Sequence, residues 1–159
     1  MSTTAIRVFR EDPESPEAKA CLRAYFALLA DRIPGIDQTH VPDPDPDPEA
    51  DAFRPPGGVF LIAREGEAVL GCVSIKSVDA TLGEVKRLWV APAARGRGLA
   101  RRLMAEIEAF ARATGMTDLR LDTNGALTEA LALYRSSGWE PTVPFTKAFP
   151  ATDWLAKRL

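Results

Sequence analysis

The chain has little of what metal, redox and disulfide chemistry uses: two cysteines and one histidine in 159 residues. Cys21 and Cys72 stand far apart and match no metal-binding or redox spacing, so no metal site is expected, and a reduced, cytoplasmic protein is. No apolar run approaches the length of a membrane span. The N-terminus, "MSTTAIRVFREDPESPEAKA", lacks the apolar core of a signal peptide. No membrane partner is therefore expected. There is no basic surplus either: Lys and Arg number 20 against 22 Asp and Glu, a formal net charge of -2. That excludes a general attraction to nucleic acid or to anionic lipid, and any anion must be held locally. Internal repeats are absent too. The length suits one domain over residues 1–159, with one core.

What is present reads as alternating strands and helices. "TAIRVFR", residues 4 to 10, alternates as a strand does. Ser15-Pro16-Glu17 opens a helix with a capping hydroxyl, a proline in the first turn and an acid at the positive end of the dipole. Cys21, Leu22, Tyr25, Phe26, Leu28 and Leu29 recur at helical spacing, and the helix stops before Pro34-Gly35. Residues 33 to 57 are irregular. Within them, about 37 to 56 form an acidic loop rich in Pro and Asp. The alternating prolines of "PDPDPDPEAD" prevent a helix, and the aspartates repel one another and favour water. "GVFLIAR" (58–64) and "AVLGCVSIKS" (68–77) flank Glu65-Gly66-Glu67 as a hairpin, followed by the strand "GEVKRLWVA" (83–91). A helix from about Gly98 to Thr114 puts Leu99, Leu103, Ile107 and Phe110 on one face and ends at Gly115. "LRLDT" (119–123) is a strand, Thr128 caps a helix through Leu131 and Tyr134 that stops at Gly138, and "WEPTVPF" and "TDWLAKRL" make two last strands. The order predicts an α/β sandwich built on a mixed sheet.

In this acidic chain, Arg95, Arg97, Arg101 and Arg102 gather around Gly96 and Gly98, between a strand and a helix. A helix N-terminus carries unpaired N–H groups and partial positive charge. Glycines before it let further N–H groups curl round an anion. Together they predict a phosphate-binding turn. A Walker A loop would need Gly-Lys-Ser/Thr at the helix start, and a dinucleotide fingerprint would need a third glycine where Arg101 stands.

Arg95-Gly96-Arg97-Gly98-Leu99-Ala100 resembles the pyrophosphate-binding motif of the GNAT superfamily of N-acetyltransferases, Gln/Arg-x-x-Gly-x-Gly/Ala. The preceding "LWVAP", the amphipathic helix, the strand running to Asn124 and "ALALYRSSGW" follow in that family's order, over roughly residues 58 to 140. The resemblance implies a mixed, mostly antiparallel central sheet flanked by helices on both faces. It implies acetyl-coenzyme A as co-substrate, with its pyrophosphate on the N–H groups between Gly96 and Arg101. The pantetheine arm would run along Leu88, Trp89 and Val90, with Asn124 on its other side. The acceptor would be a primary amine of a small molecule, amino acid or protein, attacking directly in a ternary complex. Family members often form homodimers, but no interface is marked in this sequence.

Transfer from a thioester to an amine needs a deprotonated amine, a stabilised tetrahedral oxyanion and a protonated leaving thiolate. The resemblance implies Tyr134, in "LYRSSGW", as proton donor to the thiolate, Glu84 as base, and the Val90 N–H as oxyanion donor. Each has a plainer reading. Tyr134 shares a stripe with Leu127 and Leu131, as a core tyrosine would. Glu84 is placed to pair with Lys86 or Arg87. His40 reads as an exposed loop histidine, and the acidic run Asp43, Asp45, Asp47, Glu49, Asp51 as a solvated loop. Cys72 sits mid-strand as a small buried residue, which disfavours an acetyl-cysteine intermediate. The terminal "FTKAFPATDWLAK" keeps only Trp154 and Lys157 of the ending common in similar members, so no acceptor preference carries over.

Two other functions fit parts of the chain. A non-catalytic acyl-coenzyme A sensor would use residues 95–100 and need neither Tyr134 nor Glu84. A nucleic-acid module would use Lys86, Arg87, Arg95, Arg97, Arg101, Arg102 and Arg112 interleaved with aromatics, and only Trp89 lies nearby.

Overall fold

A computed structural model describes residues 5–147 and 149–159. Thr4, the first residue of the expected opening strand, and Ala148, in the terminal run, lie outside the described residues. The elements are β1 (Ile6–Arg10), α1 (Pro16–Arg32), β2 (Val59–Glu65), β3 (Ala68–Ser77), β4 (Leu82–Val90), α2 (Leu99–Ala113), β5 (Asp118–Thr123), α3 (Thr128–Ser136), β6 (Glu140–Pro141) and β7 (Asp153–Arg158), with short 3₁₀ turns at Ala50–Phe53 and Pro92–Ala94. They form one sheet in the order β1-β2-β3-β4-β5-β7-β6. Among the described residues only β4 and β5 pair in parallel, as one strand-helix-strand crossover requires.

The near-continuous apolar run of β2 reflects burial on both faces. Val59, Leu61 and Ala63 pack with Leu99, Leu103, Ile107 and Phe110 of α2. The intervening Phe60 and Ile62 pack with Ala18, Cys21 and Leu22 of α1. Each Val, Leu, Ile or Phe among them contributes about 1.5–3 kcal/mol when fully buried. Helices therefore cover both faces. α1 starts as expected: the Ala18 N–H donates to Ser15 Oγ at 3.1 Å, with Pro16 in the first turn.

The sheet opens at its middle. β4 and β5 pair at Leu82–Asp118, Gly83–Leu119 and Glu84–Arg120 and then part, although β4 runs on to Val90. The cause lies in β4 itself. Its register against β3 shifts between Cys72 and Ser74, and Arg87 in the extra residue's neighbourhood has φ +64°. Such a bulge bends a strand and increases its twist.

Two expectations about the elements need correction. Thr128 does not cap α3. It is the first helical residue, and its hydroxyl turns to Glu129. Asn124 instead fixes that turn, its Oδ1 accepting from the Ala126 N–H at 2.8 Å. The strand expected in "WEPTVPF" is only Glu140–Pro141, since Pro141 and Pro144 remove ladder donors.

The acidic loop is also not simply solvated. Asp43 pairs with Arg23, Asp45 with Lys19 at 2.6 Å and Asp47 with Arg87 at 2.7 Å, while Glu49 meets Lys76 and Lys86 at 2.9 and 3.1 Å. The loop is a strap tied across α1 and the sheet. The aspartates that repel one another in sequence each find a cation in the fold. No helix among the described residues is long and apolar enough to cross a membrane.

Candidate functional site

Two cavities meet where β4 and β5 part. The larger, about 620 Å³, lies between the ends of β4 and α3 and the start of α2. The smaller, about 330 Å³, lies under the acidic strap. Tyr25, Leu88, Leu127 and Ala130 line both, so the two spaces adjoin at Leu88.

The larger cavity ends on the Arg/Gly turn. Gly96 and Gly98 have φ +77° and +73°, a conformation that side chains other than glycine's seldom take. A Cβ built on either meets nothing within 4 Å, so it is the backbone angle, not crowding, that calls for glycine. Among the described residues, the backbone N–H groups from Gly96 to Arg101 donate to no protein acceptor. The first helical bond is Arg102 N–H to Gly98 O at 3.1 Å. These donors, at the positive end of a helix, make an anion cradle.

The four arginines divide. Arg95 and Arg101 line the cavity, and Arg101 is steadied by Ser136 and Ser137 hydroxyls, each at 3.1 Å. Arg97 turns out to Glu65 at 2.6 Å and Arg102 to the Ile6 carbonyl at 2.7 Å. Leu88, Trp89, Val90, Leu99 and Ala100 line the cavity with Gly96 and Gly98. The Ala91 N–H donates to Leu70 O on β3 at 2.8 Å. Successive N–H groups along a strand alternate sides, so the Val90 N–H points to the side that β5 has left.

The chain's two tyrosines meet at the smaller cavity. Burial pushes the Tyr134 phenol well above its ordinary value, and the nearby Tyr25 adds to the shift. Tyr134 stays protonated across the working pH range. Its ring lies 6.0 Å from that of Trp139, and among the described residues its hydroxyl has no hydrogen-bond partner. Burial, then the charge of Asp122, pushes Tyr25 up to about 12. His40 lines this cavity, partly buried and edge-on to Phe149 at 4.9 Å, rather than fully exposed on its loop.

Glu84 and Asn124 are not brought to the cavities. Glu84 is buried and accepts from Arg120 Nε at 2.9 Å, rather than from Lys86 or Arg87. Those two are drawn to the strap. Asn124 donates to Pro150 O at 2.6 Å and accepts from Ala126, so both ends of its amide are engaged by its own chain. Cys72 is fully buried, its thiol pushed far up by the neighbouring Cys21 thiol and by burial, and it lines neither cavity. Tyr25 and Asp122 are two polar lining residues to which the sequence pattern assigned no role. Tyr25 was legible only as one member of an apolar stripe.

The strap gives a pH dependence. Partial burial raises the Glu49 carboxyl, but hydrogen bonds and charge from Lys76 and Lys86 outweigh this and lower it from 4.5 to about 2. The folded value lies below the unfolded one. The carboxylate therefore stabilises the fold above about pH 4.5 and loses that contribution as pH falls towards 2. Melting curves between pH 6 and 2 are expected to show wild type more stable than Glu49→Gln above about pH 4.5 and the two converging near pH 2. Parallel curves would contradict this.

The sequence pattern of the Acetyltransferase (GNAT) family matches residues 22–139. A relative named IAA acetyltransferase, from Azospirillum brasilense, is 42% identical over 87 residues, 54% of this chain and 57% of that protein. The match thus spans little more than half the relative's length. Among solved structures, an acetyltransferase from Streptococcus agalactiae superposes with a TM-score of 0.79 at 21% identity, covering 97% of this chain and 98% of that one. The PaiA N-acetyltransferase of Thermoplasma acidophilum, solved with coenzyme A, gives 0.76 at 15% identity, covering 98% and 99%. At those identities the likeness shows the fold.

Proposed function

The chain belongs to the GNAT acetyltransferase family, and from that premise we propose that it moves an acetyl group from acetyl-coenzyme A to a primary amine, with both substrates bound at once. One observation carries the reading: a cavity ending on an anion cradle adjoins a second cavity lined by two phenols, at the point where the sheet opens. Acetyl-coenzyme A supplies the activated acetyl group as a thioester.

The N–H groups of Gly96 to Arg101, with Arg95 and Arg101, fit the pyrophosphate. The Val90 N–H, facing the open side, fits a main-chain-like contact to the pantetheine arm. Leu88 lines both cavities, and its backbone at their junction, in place of the Val90 N–H, is the group this reading assigns to the oxyanion. Tyr134 delivers a proton to the departing sulfur. The burial that raises its phenol also raises a thiolate in the same place, so the transfer is less uphill than the phenol's shift alone suggests. Glu84 lies outside both linings, so any proton it takes from the amine passes through water. Asn124 acts through the turn it fixes ahead of α3.

The test is thiol release from acetyl-coenzyme A over a panel of primary amines, with acetylated product identified by mass spectrometry. The expected result is release matched by N-acetylated product. Tight binding without release on any amine would make the chain a binding module, and no binding would overturn the site as well.

A further inference from the structure

The smaller cavity holds one carboxylate without a cation. Four acidic side chains line it: Asp43, Asp47, Glu49 and Asp122. Arg23 takes Asp43, Arg87 takes Asp47, and Lys76 and Lys86 take Glu49. Lys86 and Arg87 are also the lysine and arginine in the lining, and both are engaged in those pairs. Asp122 has no cationic partner among the described residues.

Its position follows from the sheet. Glu84–Arg120 is the last β4–β5 pair. Side chains alternate along a strand, so Asp122 falls on the same face as Arg120, just past the point where the strands part. Arg120, two residues before it on that face, is committed to Glu84, with its guanidinium stacked 4.1 Å over Phe145. Opposite Asp122 on β7 stands Trp154.

The Trp154 indole N–H donates to Thr146 Oγ1 at 2.9 Å, and Thr146 donates to Asp122 Oδ2 at 2.9 Å. An indole can only donate, so the Thr146 oxygen accepts from it and the hydroxyl proton is directed at Asp122. This relay pins one carboxylate oxygen. Among the described residues the other, Oδ1, has no partner.

We propose that Asp122 recognises the acceptor, and that the acceptor is a cationic primary amine with a compact apolar body. A ligand that displaces water from this cavity leaves the carboxylate unpaired unless the ligand itself brings positive charge. The walls around it, Tyr25, Phe26, Leu29, Leu121 and Leu127, suit an alkyl or arylalkyl group. An acceptor with its own carboxylate beside the amine meets Asp122 as a like charge and is disfavoured. Asp122 acts here by recognition and positioning. This inference rests on the acetyl-transfer reading for the identity of the second substrate.

The test uses the whole chain saturated with coenzyme A, so that no turnover occurs, and a series of primary alkyl and arylalkyl amines led by benzylamine, with benzyl alcohol as the uncharged counterpart. Calorimetry is expected to show the amines binding wild type and weakening by about tenfold to a hundredfold in Asp122→Asn. The alcohol should bind weakly and alike in both, and coenzyme A affinity should not change. Thr146→Val should lose part of the same affinity. In turnover, Asp122→Asn should raise KM for the amine more than it lowers kcat. Equal amine binding in wild type and Asp122→Asn, benzyl alcohol binding wild type as tightly as benzylamine, or no amine binding at all would each overturn the proposal. Amine binding that depends on Asp122, without thiol release when acetyl-coenzyme A is supplied, would overturn acetyl transfer and leave the recognition role standing.

Discussion

Gly98→Asp is expected to abolish coenzyme A binding, with a loss of about a thousandfold or more, while the protein still folds. The fold survives because an added Cβ meets nothing within 4 Å and because aspartate is among the residues that tolerate a φ of +73°. The backbone strain is about 1–2 kcal/mol. Part of it is offset, since residue 98 is the N-cap of α2 and an aspartate there can accept from the first-turn N–H groups. The same geometry removes the ligand. The new carboxylate occupies the donors meant for phosphate and repels phosphate charge, and like charges brought together cost several kcal/mol, each 1.4 of which is tenfold in affinity. Gly98→Ala is the control. It carries at least as much backbone strain without the charge and is expected to lose no more than about tenfold. Calorimetric titration with coenzyme A, beside a melting curve for each variant, separates the two effects. An aspartate variant that binds as wild type does would remove the turn from the site.

Tyr134→Phe is expected to lower kcat by about a hundredfold to ten-thousandfold, the usual range for losing a positioned general acid. Affinity for acetyl-coenzyme A should be almost unchanged, because Tyr134 lines the acceptor cavity and not the larger one. Stability should hold too. The phenylalanine ring keeps the contact with Trp139, and no protein hydrogen bond to the hydroxyl is lost among the described residues. The raised phenol adds a second signature. With its pKa well above the ordinary 10, ionisation of Tyr134 should impose no alkaline decline on wild-type kcat up to about pH 10. A fully active phenylalanine variant would take Tyr134 out of the chemistry.

The elements that place the cradle were legible because their signals are local. "GVFLIAR" and "AVLGCVSIKS" flank a Glu-Gly-Glu turn as a hairpin, Ser15-Pro16-Glu17 is a helix start, and two glycines ahead of an amphipathic run announce a turn with open N–H groups. The division of the arginines was not legible. Arg97 lies between the two glycines and Arg102 directly follows Arg101, yet both turn away, to Glu65 and to the Ile6 carbonyl, which the fold brings from other strands. The acidic strap was misjudged for the same reason. Its repulsion is a local property, and its pairing with Arg87, Lys76 and Lys86 is a tertiary one. Tyr25 sat on a stripe that a core residue would also occupy. The alternation of "LRLDT" gives the face of Asp122, but its lack of a counter-charge depends on Glu84 having taken Arg120. Pairing between distant residues decides which of several similar charges faces a ligand, and no spacing in the sequence records it.

Amide hydrogen exchange, with and without saturating acetyl-coenzyme A, tests the central claim most directly. The account predicts new protection at Val90 and at the backbone N–H groups from Gly96 to Arg101, which have no protein acceptor without the ligand, and little change in β1, β6 and β7. Binding that leaves those amides exchanging as before, or that protects a different surface, would contradict it.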